Sequence, residues 1–266
     1  MDRLYQSCPL ATGSECIRLL QVQELINPGN NEEPIQCTLR VVDLQDRPSF
    51  SALSYVWGTK SAQSKTIICG ITAFNVTDNC HSALKHLRQS YGSTVIWIDA
   101  VCIDQHNDEE KGQQVALMGV IYSRAQRVFI WLGNGTDATD RAIASLKIPS
   151  HIETTFAALA RAQVSPSSLD VLIVSWAIYK ERWSHMLESI SSPKNIRAMI
   201  ALQRQKSSLI PGSCQYIDDL YELLGRERIT RIWTYQELML ATNPIVVCGK
   251  SAIHWPELAL KVTKFD

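Results

Sequence analysis

The sequence predicts an α/β domain built on a mainly parallel central sheet, and two observations predict it. TVIWIDAV (94–101) and RVFIWLG (127–133) are nearly continuous apolar runs rather than alternating ones, the pattern of strands covered on both faces. Helix-spaced segments precede each of them, so the chain from residue 77 to 133 reads helix, strand, helix, strand. With the strand before residue 77, that order is the grammar of an α/β layer with crossover connections.

Ahead of this core the chain is β-rich. CIRLLQV (16–22) and QCTLRVVDL (36–44) read as strands, and the NPGNNEEP cluster between them predicts a turn, hence a hairpin. SALSYVW follows as a third strand ended by Gly58. KTIICG and ITAFNV flank Gly70 as a second hairpin. From Thr77 the spacing turns helical, with Leu84, Leu87 and Tyr91 behind the capping candidates Thr77, Asp78 and Asn79. After the strand 94–101, the charged loop DQHNDEEKG leads into a helix whose stripe is Val115, Met118, Tyr122 and Ala125. Residues from about 136 to 226 are broken by Pro149, Pro166, Pro193 and Pro211 and read as a helical insertion. IWTYQELMLA resumes as a helix, and NPIVVCG is a final strand.

Composition narrows the function classes. The 26 basic side chains balance 26 acidic ones, leaving no electrostatic footprint for nucleic acid or an anionic membrane. No apolar run reaches the ~20 residues that cross a bilayer, and the N-terminus shows no secretory signal. The eight cysteines lack CxxC spacing and no histidines form HxxxH, so a metal site is not expected. They read as reduced thiols in a core, which points to a cytoplasmic location.

Three separated segments, FSALSYVWG (50–58), WIDAVCIDQ (97–105) and RIWTYQEL (231–238), put polar groups beside aromatic bulk at the ends of apolar runs. Glu237 shares a helix face with Trp233 and Ala241, where its neighbours carry no charge. A carboxylate buried there implies either a function or a distant ion partner such as Arg228 or Arg231. Ser54, Tyr55, Trp57 and Gly58 stand where a strand gives way to a loop, the place where ligands collect in open α/β sheets. Trp57 has a ring to stack on a flat base, and Gly58 lets backbone approach a ligand; core packing for Tyr55 and Trp57 is the competing reading. Asp99, followed by Cys102, Asp104 and Gln105, is a ligand or network residue, or else a cap on the loop amides after it. No GxGxxG or GxxxxGK[ST] is present, so neither a Rossmann site nor a P-loop is expected. Cys102 has no evident histidine partner for nucleophilic work.

Taken in order, these blocks resemble the HET (heterokaryon incompatibility) domain of filamentous fungi, whose blocks read roughly YxALSYxWG, WIDAxCINQ and RxWTxQE. The likeness continues through QQVALMGVIYSRAQRVFIWLG (113–133) and is weakest over about 136–226. Asp104 stands where that family usually has Asn, Phe50 where it has Tyr, and Lys111 where it has Arg. The resemblance implies one HET domain over 1–266, acting in self/non-self recognition and regulated cell death, with an activating protein partner and a homo-oligomer to be expected. HET domains are in turn similar to TIR domains, which implies a TIR-like sheet and an innate-immunity type of role. Glu237 falls in register with the TIR glutamate that cleaves NAD, with Trp233 four residues ahead. NAD is then a substrate rather than a bound cofactor, and Ser54, Tyr55, Trp57, Gly58, Asp99, Gln105 and Trp233 line its pocket. The alternative is a non-catalytic oligomerising module that uses the same scaffold.

Overall fold

The computed structural model describes residues 3–27, 32–58, 64–147, 213–226 and 237–262. Within them nine strands form one sheet: β1 (Cys16–Val22), β2 (Gln36–Asp43), β3 (Ser51–Tyr55), β4 (Lys65–Cys69), β5 (Thr72–Val76), β6 (Thr94–Trp97), β7 (Arg127–Trp131), β8 (Pro244–Cys248) and β9 (Ser251–His254). Their order across the sheet is β5-β4-β2-β1-β6-β3-β7-β8-β9.

The expected parallel sheet is present but is less dominant than the sequence suggests. The junctions β6-β3, β3-β7, β7-β8 and β2-β4 are parallel, while β1-β2, β1-β6, β4-β5 and β8-β9 are antiparallel. The β-rich N-terminal strands extend the central sheet, β1 pairing directly with β6 in antiparallel register. Chain periodicity shows that a strand is buried but not which neighbour buries it, so this joining could not be read from sequence. The parallel core is the fragment β6-β3-β7-β8. In chain order it runs second, first, third, fourth, the arrangement of a doubly wound sheet.

Local chemistry explains the helices. α1 (Arg3–Gln6) is short, and α2 (Asp78–Tyr91) starts where the Thr77 hydroxyl accepts the Cys80 amide. α2 buries Cys80, Ala83, Leu84 and Leu87 on one side and ends at Gly92, with φ of 67°. The run TVIWIDAV does not stay extended: β6 stops at Trp97 and α3 (Asp99–Cys102) begins at once. α4 (Asp108–Arg124) is capped by Asn107, and its first turn carries Asp108, Glu109 and Glu110, where negative charge suits the helix dipole. Its buried face differs from the predicted stripe: Gln114, Ile121 and Tyr122 are buried, whereas Val115 is 54% exposed. Gln114 is turned inward because its amide donates to the Cys16 carbonyl at 3.0 Å.

α5 (Asp137–Leu146) opens with a reciprocal box between Thr136 and Thr139, and α6 (Ser213–Leu224) packs against it through a bidentate Arg141–Asp219 pair. These helices are the two ends of the predicted insertion; its middle, 148–212, lies outside the described residues. Residues 237–240 are helical, as expected, and α7 (Trp255–Val262) follows β9. β9 and α7 were not foreseen. Among the described residues, no helix is long and apolar enough to cross a membrane.

Candidate functional site

β3 and β6 are parallel neighbours, with Ser51 opposite Ile96 and Ala52 opposite Trp97. Their carboxyl ends therefore emerge side by side, β3 into Val56–Gly58 and β6 into Ile98 and Asp99. β7 lies on the other side of β3 in parallel register, so β3 is flanked by strands whose chain connections depart in opposite directions. In doubly wound sheets that switch point is where the loops part and leave a crevice.

The first two blocks meet one strand over, where the ends of β3 and β6 lie side by side. The Trp57 indole N–H donates to Asp99 Oδ2 at 2.9 Å, and Trp57 is 39% exposed. The other carboxylate oxygen, Oδ1, accepts the Ala100 amide at 2.7 Å. Asp99 thus binds the next backbone amide with one oxygen and orients a partly exposed aromatic ring with the other, while the helix it begins has Ile98 as its N-cap and no side-chain cap. Gln105 folds back so that its amide donates to the Asp99 carbonyl at 2.8 Å, which ties the end of the second block to its start.

The third block reaches the first through Ser54. Its hydroxyl donates to Glu237 Oε2 across 183 positions of sequence. Ser54 is buried and Glu237 is half-buried. Trp233 lies outside the described residues, as do Arg228 and Arg231, the ion partners considered for Glu237.

Two predicted residues take plainer places. Tyr55 is 4% exposed, on the α2 side beside Cys80 and Thr77, and burial pushes its phenol far above the ordinary tyrosine value. That is a core tyrosine. Gly58 has φ of 76° with open space where a Cβ would stand, so backbone conformation rather than crowding calls for glycine. Cys102 is fully buried, and burial pushes its thiol up to about 12, which keeps it protonated at neutral pH and unsuited to nucleophilic work.

The structure adds residues the sequence did not single out for the site. Asn79 Nδ2 donates to the Val56 carbonyl at 2.6 Å, while its Oδ1 accepts the Trp131 indole N–H at 2.8 Å. One amide therefore joins the ends of β3 and β7 and fixes the backbone next to Trp57. On the other flank, Arg18 is 1% exposed and binds Glu110 through both carboxylate oxygens, at 2.5 and 3.0 Å. It also donates to the carbonyls of Cys8 and Cys102 and lies over the Tyr5 ring. Glu110 accepts the Asp104 amide as well, at 2.7 Å. Burial works against the Glu110 charge, but Arg18 and that amide outweigh it and hold the carboxyl below its ordinary value. This cluster braces the WIDAVCIDQ segment from beneath. The visible signal was Glu110 in a first helical turn; its partner 92 positions away left none.

Fold and geometry describe an α/β domain with a mixed sheet, whose parallel core gathers an aromatic ring, two carboxylates and a hydroxyl near its strand ends. The sequence model of the family "Heterokaryon incompatibility protein (HET)" matches residues 50–237, well over half the chain, and the chain belongs to that family. It is also similar to "Heterokaryon incompatibility protein 6, OR allele" of Neurospora crassa, at 26% identity over 275 aligned residues. That alignment covers 94% of this chain but 35% of the relative, so the chain spans about a third of that protein's length. No solved structure matches.

Proposed function

We propose that the chain is the effector domain of a fungal incompatibility protein, promoting regulated cell death by hydrolysing NAD at Glu237. The observation that carries this reading is the pair of contacts joining the three blocks: Ser54 to Glu237, and Trp57 to Asp99. The second-first-third-fourth order of the parallel core supports the TIR-like reading, because it places these groups beside a switch point.

The chemistry suits the residues. The bond from ribose C1′ to the nicotinamide nitrogen breaks through an oxocarbenium-like state, and nicotinamide departs as a neutral molecule, so no general acid is needed. The Glu237 carboxylate holds the ribose hydroxyls and faces the growing positive charge. The Ser54 hydroxyl fixes the direction of that carboxylate. Trp57, held by Asp99, offers a flat face to a heteroaromatic ring. Water then bonds to C1′ and releases a proton, giving ADP-ribose, nicotinamide and one proton.

The test is to incubate the purified, concentrated chain with NAD and measure nicotinamide release, with Glu237→Ala alongside. Release by the unmodified chain and none by the variant is the expected result. No release by either, with both folded, would favour the non-catalytic oligomerising module, whose activity would then rest on a protein partner.

A further inference from the structure

Cys37 and Cys69 stand 32 positions apart in the chain, and nothing in their spacing links them. In the fold they are register partners on neighbouring strands. β2 and β4 pair over only two positions, Gln36 with Ile68 and Cys37 with Cys69, and among the described residues this is the one strand junction that ties the β4–β5 hairpin to the rest of the sheet. Directly opposed residues of adjacent strands lie about 5 Å apart, within the Cα separation that a disulfide spans.

Cys37 Sγ donates at 3.2 Å to the carbonyl of Ile68, the residue beside Cys69. Both residues are buried, yet Cys69 is one residue from a fully exposed turn formed by Gly70 and Ile71, so the path from solvent is short. The pair is unequal. The neighbouring Cys37 thiol and the Leu39 amide hold the Cys69 thiol below its ordinary value, while Cys37 is pushed up by Cys69 and by burial. A third thiol, Cys8, lies 3.4 Å from the Leu39 carbonyl and is partly exposed. Among the described residues no such cluster is arranged to hold a metal ion.

We propose that Cys37 and Cys69 are an oxidation site, converted by a hydroperoxide into a disulfide that locks the β4–β5 hairpin onto the sheet. The Cys69 thiolate attacks the peroxide, breaking the O–O bond to give a sulfenic acid and hydroxide. The Cys37 sulfur then attacks the Cys69 sulfur, and water leaves with the Cys37 proton. Overall, two thiols are oxidised to one disulfide and one hydrogen peroxide is reduced to two waters. The locked hairpin also lies close in sequence to the SYVWG loop, β4 starting seven residues after Gly58. The disulfide closes a long loop in the unfolded chain, which raises stability if the native geometry accepts the bond.

The test exposes the reduced, purified chain to equimolar hydrogen peroxide, alkylates the remaining thiols after denaturation, and maps the peptides without reduction. The expected product is a Cys37–Cys69 linked peptide, with a melting temperature several degrees higher that returns to its starting value on adding dithiothreitol. Cys8→Ala should keep both effects, and Cys69→Ala should lose both. Alkylatable Cys37 and Cys69 in the oxidised protein, a linkage through Cys8 instead, or a cross-link that lowers the melting temperature would each overturn the proposal.

Discussion

Ser54 and Glu237 show how much one residue can depend on chain that is far away. Ser54→Ala removes a donor to the carboxylate and leaves the core volume almost unchanged. It should cost about 1 kcal/mol of stability and lower NAD cleavage by about 10- to 100-fold through a misplaced carboxylate. Denaturant melts and nicotinamide release measure the two effects separately, and unchanged turnover would remove Ser54 from the site. Glu110 makes a second prediction at this scale. Its folded pKa lies below the ordinary 4.5, so its contribution to stability is complete above about pH 4.5 and is lost as pH falls through the folded value. Glu110→Gln leaves the buried Arg18 without its counter-charge, so it should destabilise by about 3–5 kcal/mol at neutral pH. It should also flatten the acid limb of stability against pH, as chemical denaturation at a series of pH values would show. The sequence marked Asp99 and Glu237 through their apolar surroundings. It was silent on Arg18 and on the two-sided role of Asn79, because a buried hydrogen bond between distant segments leaves no local pattern.

Single elements were legible where the pattern was local. The hairpin around Gly70, the helix from Thr77 and the buried strand 127–131 agree with their spacing and capping signals. Errors came where tertiary contact overrode period. β6 ended early because α3 turns the chain at Asp99, and α4 rotated so that Gln114 faces inward in place of Val115. The loops leaving β7 and β8 give a prediction at this scale. Gly249 has φ of 53°, and a Cβ there would stand 2.5 Å from the Gly135 nitrogen and 2.7 Å from its Cα. Both obstacles are backbone, so neither yields as a side-chain end would. Gly249→Ala should destabilise by about 1–3 kcal/mol through strain and overpacking. A thermal melt equal to that of the unmodified chain would show that the two loops can separate.

At the scale of the whole molecule, the sequence indicated the α/β class and the three blocks, but not the nine-strand order. Half the junctions are antiparallel because the N-terminal strands join the edge of the parallel core at β6, a pairing that no run of residues announces. The same order brings Trp57 to Asp99 and Ser54 to Glu237, so that blocks far apart in the chain come into contact. The central claim is that this assembly is a reacting site with Glu237 as its working carboxylate. Glu237→Gln tests it most directly, since the amide keeps the shape and can still accept from Ser54 while losing the charge that faces the oxocarbenium ion. The measurement is nicotinamide release and thermal melting on the same preparations of the unmodified and variant chains. The expected result is turnover by the unmodified chain, none by the variant, and a melting temperature that is unchanged or slightly raised. Loss of about 3–5 kcal/mol in the variant, with no turnover by the unmodified chain, would contradict it and leave Glu237 as one half of a structural ion pair.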